Sequence, residues 1–203
     1  MRGVSEYDGG GPHLMDVLWK TGLEEHLELF NRLSALTDDV VRAAALISSV
    51  VSKGNKVMFC GNGGSAADSQ HLAAEFVGRF VKDRRPLAAL ALSTDSSALT
   101  CIGNDYGFDD VFYRQVVGLG KPGDCLVAIS TSGNSRNVIK AVEAARAAQI
   151  RVIGFLGRDG GALRNLCDIP LVVASPTTAR IQEAHIFIGH TLCGMVEKAL
   201  SLA

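Results

Sequence analysis

The chain has 203 residues and 47% hydrophobic content, enough for one core of ordinary size, and its 20 basic and 21 acidic residues leave a formal net charge of −1. That balance provides no basic face for nucleic acid, and no apolar stretch reaches the roughly 18 residues needed to cross a bilayer. Five cysteines, at 60, 101, 125, 167 and 193, are widely spaced and lack a C-x-x-C pair, which argues against a disulfide framework or a thiolate zinc site.

Residues Met1 to His13 hold a Gly9-Gly10-Gly11-Pro12 tract and no apolar h-region, so they read as a loose tail before a single domain over 14–203. With no secretory signal in that reading, the expected location is the cytoplasm. Leucines 14, 18, 27, 29, 33 and 36, with Val17, Trp19 and Phe30, predict one or two N-terminal helical segments, and Val40 to Val51 repeats the helical pattern. The chain then alternates. A strand near 55–60 precedes a helix over 65–79, a strand over 87–92 and a short helix near 96–102. A helix around 108–118, a strand over 124–129 and a helix over 135–148 follow. A strand over 151–155, a short helix near 161–166 and a strand over 169–173 lead to a long helix from about 178 to 200. Apolar runs without polar alternation, separated by helices, predict a parallel sheet covered on both faces. The expected fold is α/β, a three-layer α/β/α sandwich with a five-stranded parallel sheet and extra N-terminal helices.

Two strand-to-helix junctions carry chemistry. After Val57-Met58-Phe59 comes Cys60-Gly61-Asn62-Gly63-Gly64-Ser65-Ala66-Ala67-Asp68, whose glycines let the backbone turn and approach a ligand. Ser65 and Asp68 have the spacing of a capping box, which would aim backbone N–H groups at the loop. The second junction, Ser130-Thr131-Ser132-Gly133-Asn134-Ser135, offers four rotatable hydroxyls at another helix start. Neither contains Lys or Arg, which suits a terminal sugar phosphate better than a triphosphate, and the P-loop pattern is absent. In open sheets of this kind ligands bind beyond the carboxyl ends of the strands, where both loops lie. The short basic cluster Arg79, Lys82, Arg84 and Arg85, interrupted by Asp83, reads as a solvated turn.

His71 and Glu75 are four apart on the predicted helix 65–79 and share one face, so they can share a metal ion or a proton task. Arg79, one turn further, keeps a plain ion-pair reading open. Gln182, Glu183, His185 and His190 lie amid apolar residues of the last helix. Gln182 and His190 are about 12 Å apart along its axis, only just close enough to reach one ion between them.

The segments CGNGGSAADSQHLAAEF (60–76), ALSTDSSALTCIGNDYG (91–107), AISTSGNS (128–135) and RIQEAHIFIGH (180–190) resemble the phosphoheptose isomerases, the sedoheptulose-7-phosphate isomerases of the sugar isomerase (SIS) fold family. The likeness runs from about residue 14 to the C-terminus. It implies a cytoplasmic homotetramer converting D-sedoheptulose 7-phosphate to D-glycero-D-manno-heptose 7-phosphate, with no nucleic-acid or membrane partner. It implies Glu75 as general base and His190 as its acid partner. His71, Glu75, Gln182 and His190 would hold one Zn²⁺ per subunit. Asn62, Gly63, Gly64, Ser65, Glu75, Asn104, Asp105, Ser130, Thr131, Ser132, Ser135 and Gln182 would hold the substrate. The two role sets compete, because a histidine nitrogen giving its lone pair to zinc cannot accept a proton at the same moment. A rival from another class is a non-catalytic protein of the same fold that binds the replication initiator. Such proteins share both loops but lack the Glu75 and His190 equivalents, and this chain has both.

Overall fold

The structure is a computed structural model that describes residues 12–202. The tail expected over 1–13 lies, up to residue 11, outside the described residues, and α1 begins at Pro12. The chain divides after Ser34 into two compact units. The first is α1 (Pro12–Arg32) running into a 3₁₀ turn that begins at Leu33. Its Leu14, Leu18, Trp19, Leu23 and Leu27 recur at helical spacing and are exposed, Trp19 at 71%.

The second unit begins with α2 (Thr37–Ser52), whose Asp38 and Asp39 suit the positive end of the helix. The chain then runs through β1 (Val57–Cys60), α3 (Gly64–Val77), β2 (Ala89–Ala91), α4 (Ser96–Asp105), α5 (Tyr113–Leu119), β3 (Cys125–Ser130), α6 (Arg136–Ala147), β4 (Arg151–Gly157), β5 (Ile169–Val173) and α7 (Thr178–Ala199). The helix expected over 108–118 is split. A 3₁₀ turn over Phe108–Asp110 precedes α5, and the segment near 161–166 is also a 3₁₀ turn, Ala162–Asn165. The helix expected to reach 79 stops at Val77, with Gly78 as its C-cap.

All strands are parallel, in the order β2-β1-β3-β4-β5. The central strand β3 and its neighbour β1 are buried at every residue. Edge strand β5 accommodates Pro170, whose missing N–H would break an interior ladder. Met58, Cys60, Leu126, Ala128 and Val152 pack with Val138, Ala141, Val142 and Ala145 of α6 and Val116 of α5 on one face. α2, α3 and α7 pack together against the other, where Phe59 of β1 meets Phe76 of α3 with ring centroids 5.9 Å apart. The three-layer sandwich expected from the sequence is the observed architecture. Cys60, Cys125 and Cys193 are buried free thiols. Among the described residues no helix is long and apolar enough to cross a membrane.

Candidate active site

The strand order decides where chemistry can occur. Connections from β1 and β3 leave in opposite directions across the sheet, so a crevice opens between their carboxyl ends, the usual ligand position in open α/β sheets. β1 and β3 are hydrogen-bonded neighbours, with Cys60 opposite Ala128. Two loops 70 residues apart in the sequence therefore meet side by side.

In the first loop the N-cap of α3 is Gly63, at φ 55°, and no side chain caps the helix. The capping box expected from Ser65 and Asp68 does not form, because the helix starts one residue before Ser65. Ser65 sits inside the first turn, buried, with its carbonyl accepting from Ser69 Oγ at 2.8 Å. Asn62 pairs with Asn137 of α6. Gly64 must be glycine for a spatial reason: a Cβ there would lie 2.3 Å from Nε2 of Gln182, so the Gln182 amide of α7 lies directly over the start of α3.

The second loop is a cup of hydroxyls. Ser130 Oγ lies 3.0 Å from Ser135 Oγ and 3.5 Å from Ser132 Oγ, and accepts the N–H of Gly133 at 3.1 Å. Ser132 Oγ accepts the N–H of Asn134. Ser135 is the N-cap of α6, but its hydroxyl faces Ser130 rather than the helix.

Beside the loops, α3 and α7 approach closely. Gly189 of α7 allows this, since a Cβ at that position would fall 2.5 Å from Cδ2 of buried Leu72 in α3. The approach brings His71 and His190 together, Nε2 to Nε2 at 2.7 Å, with Glu75 Oε1 3.5 Å from His71 Nε2. Phe80 stacks on the His190 ring at 5.5 Å. A cavity of ≈ 420 Å³ lined by Phe80, Phe187 and His190 opens alongside.

The donors of His71, Glu75 and His190 all lie within 4.8 Å of one another, two imidazole nitrogens and one carboxylate oxygen, a set suited to a borderline divalent cation such as Zn²⁺. Asp68 lies one turn before His71 on the same face, and its Oδ2 is buried without a hydrogen-bond partner. Burial raises its carboxyl above the ordinary value against the lowering effect of His71 and His190. A cation held by the three donors would supply the positive charge this orphaned oxygen lacks, so the residues fit a metal. Burial first, then the Glu75 and Glu197 charges, push the nearby Cys193 thiol up to about 12.

Among the described residues, no hydrogen bond ties Asn104 or Asp105 to the loops. They lie exposed at the end of α4 and bond to each other, Asn104 Nδ2 to Asp105 Oδ1 at 2.7 Å. Three residues at the site escaped sequence reasoning. Asp68 was legible as the first member of an i, i+3, i+7 row with His71 and Glu75. Asn137 and Arg84 carried no local signal. The basic cluster is not wholly a solvated turn, because the Arg84 side chain is only 2% exposed.

A family model for the SIS domain matches residues 23–157. The phosphoheptose isomerase of Rhodospirillum rubrum is 54% identical over 173 residues, covering 85% of this chain and 92% of its own length. That of Campylobacter concisus is 50% identical over 186 residues, covering 92% and 98%. The solved structure of phosphoheptose isomerase from Neisseria gonorrhoeae superposes with a TM-score of 0.87 at 46% identity, covering 91% of this chain and 99% of that one. Matches of this extent, over a chain whose two loops and facing helices have the geometry described, leave one assignment: the chain belongs to the SIS domain family and, within it, to the phosphoheptose isomerases.

Proposed function

We propose that this isomerase converts D-sedoheptulose 7-phosphate to D-glycero-D-manno-heptose 7-phosphate, with the phosphate held by Ser130, Thr131, Ser132 and Ser135 and the reacting carbons presented to Glu75 and His190. The observation that carries this reading is the meeting of His71, Glu75 and His190 between α7 and the helix that starts at the glycine loop. Moving the carbonyl from C2 to C1 requires a base to remove a proton from C1 and return it to C2, and a second group to move a proton from O1 to O2. Glu75 takes the first task as a carboxylate; His190 takes the second. Ser65, Asn62 and the Gln182 amide over Gly64 orient the sugar hydroxyls.

A Zn²⁺ ion would be held by His71, Glu75, Gln182 and His190, and when bound it supplies Lewis-acid stabilisation of negative charge on the substrate oxygens. Exposed apolar residues along α1 support self-association, for which a homotetramer is the assembly we expect, and Asn104 and Asp105 would then be contributed across a subunit boundary. A cytoplasmic location suits a phosphorylated substrate. The presence of both Glu75 and His190 argues against a non-catalytic regulator of replication initiation. Purified protein incubated with sedoheptulose 7-phosphate is expected to accumulate an aldoheptose phosphate, read by NMR. A ketose that persists unchanged, with and without added Zn²⁺, would overturn the proposal.

A further inference from the structure

The three donors at the site come from two separate helices, and their geometry depends on what holds α3 against α7. Leu72 and Gly189 set the closest approach, but they do not fix α3 against sliding or rotating at its C-terminal end, where Glu75 lies within the last turn. There the guanidinium of Arg84 is inserted. Its Nη2 donates to the carbonyl of Glu75 at 2.7 Å, and its Nη1 to the carbonyls of Phe76 at 2.8 Å, Gly78 at 3.0 Å and Arg85 at 3.1 Å. Its Nε donates to Glu197 Oε1 at 2.7 Å. Glu197 belongs to α7, two turns beyond His190 on the same face, and its carboxylate also accepts the N–H groups of Phe80 and Val81 at 2.9 and 3.2 Å. Both side chains are almost wholly buried, 2% and 1% exposed.

We infer that Arg84 is a positioning residue for the isomerisation: its guanidinium fastens the last turn of α3, and with it Glu75, to α7 below His190. The inference rests on the reading of Glu75 and His190 as the reacting pair. Two physical arguments support it. A buried ion pair adds little net stability, because desolvation of both charges offsets their attraction, so its benefit here is geometric. The arrangement also requires a planar fork. A cation at the C-terminus of α3 satisfies the helix dipole, but a lysine ammonium is a single point and cannot reach the Glu75, Phe76 and Gly78 carbonyls and the Glu197 carboxylate at once. Phe80, which stacks on His190, hangs from the same carboxylate through its N–H, so one cluster holds the last turn of the helix that carries the base and the ring that packs on its partner imidazole.

Arg84→Lys and Glu197→Gln, compared with Lys82→Met as an exposed control in the same segment, test this. Each is assayed well below its melting temperature for kcat, KM, the pH profile of kcat, and Zn²⁺ affinity by competition with a chromophoric chelator. We expect kcat and Zn²⁺ affinity to fall about 10-fold or more in Arg84→Lys and several-fold in Glu197→Gln, with KM nearly unchanged and the acidic limb of the pH profile displaced. Lys82→Met should match the parent. If kcat and Zn²⁺ affinity in both variants, or in Glu197→Gln alone should Arg84→Lys fail to fold, stay within twofold of the parent while only the melting temperature drops, Arg84 is a structural clamp and the inference is wrong. Glu75→Gln separates the two readings. An inactive Glu75→Gln beside a fully active Arg84→Lys removes this inference alone, and an active Glu75→Gln removes the catalytic reading beneath it.

Discussion

The side-chain amides of Asn62 and Asn137 close on each other, Asn62 Nδ2 donating to Asn137 Oδ1 at 2.9 Å and Asn137 Nδ2 donating to Asn62 Oδ1 at 2.8 Å. Asn137 Oδ1 also accepts the N–H of Val138 at 3.0 Å, so this buried amide is held by its own helix while it grips the first loop. The pair fixes the spacing between the glycine loop and the hydroxyl cup. A substrate held by both loops would depend on that spacing.

Asn137→Ala should therefore raise KM for the sugar phosphate and weaken inorganic phosphate binding, although Asn137 belongs to neither loop. Loss of a buried partner leaves Asn62 unsatisfied, a cost of about 1 to 3 kcal/mol. Titration calorimetry with phosphate that gives the parent affinity would show the two loops to be independent.

Glu75→Gln keeps the size and hydrogen-bonding shape of the side chain but removes its basicity. Turnover should fall about 10² to 10⁴-fold with the fold intact, the usual consequence of losing a general base. Circular dichroism and kcat measured on one preparation check both halves of the statement.

Ser132→Ala and Ser135→Ala each remove one donor from the cup. Each should cost roughly 1.5 to 3 kcal/mol of phosphate affinity, the range for hydrogen bonds to charged groups. Unchanged affinity in both would reduce the loop to a helix start.

His71→Ala should abolish stoichiometric zinc, which elemental analysis of the parent, purified without chelator, should find at about one ion per chain. No sheet residue is among the donors, so chelation should leave the melting transition cooperative and the secondary structure unchanged. Parent protein that carries no metal and isomerises fully in EDTA would leave Glu75 and His190 as a plain acid and base.

Acid should destabilise the fold through His185, which is fully buried on α7 with Nε2 3.2 Å from the carbonyl of Leu156. Burial lowers its pKa from 6.5 to about 4, the Leu156 bond opposing only in part. A neutral imidazole in the fold and a readily protonated one in the unfolded chain make this stability complete above pH 6.5 and progressively lost between 6.5 and 4. Glu197 acts in the same direction at lower pH. Burial would raise its carboxyl, but the Phe80 N–H, Arg84 and the Val81 N–H together hold it below the ordinary range, so its contribution disappears on protonation. The melting temperature should fall from pH 7 to pH 4, and His185→Gln, which keeps a donor for Leu156, should flatten the upper part of that curve.

The order of strands and helices, the two strand-to-helix loops and the His71–Glu75 row were legible in the sequence because each is a local property. Apolar runs, helical spacing and glycine content act within about a dozen residues. Local reading was least accurate where the backbone makes its own choice at a helix end. The start of α3 at Gly64 displaced Ser65 from the capping position, and the 108–118 segment broke into a 3₁₀ turn and a short helix. What only the tertiary structure decided is which distant residues face one another. The β2-β1-β3-β4-β5 order sets the two loops side by side. Asn62 finds Asn137 across 75 residues, and Arg84 finds Glu197 across 113. Within its own segment Arg84 reads like Arg79, Lys82 and Arg85. Only the packing of α3 on α7 creates a buried carboxylate and a row of open carbonyls for it, and a charge follows its partners rather than its neighbours in the chain.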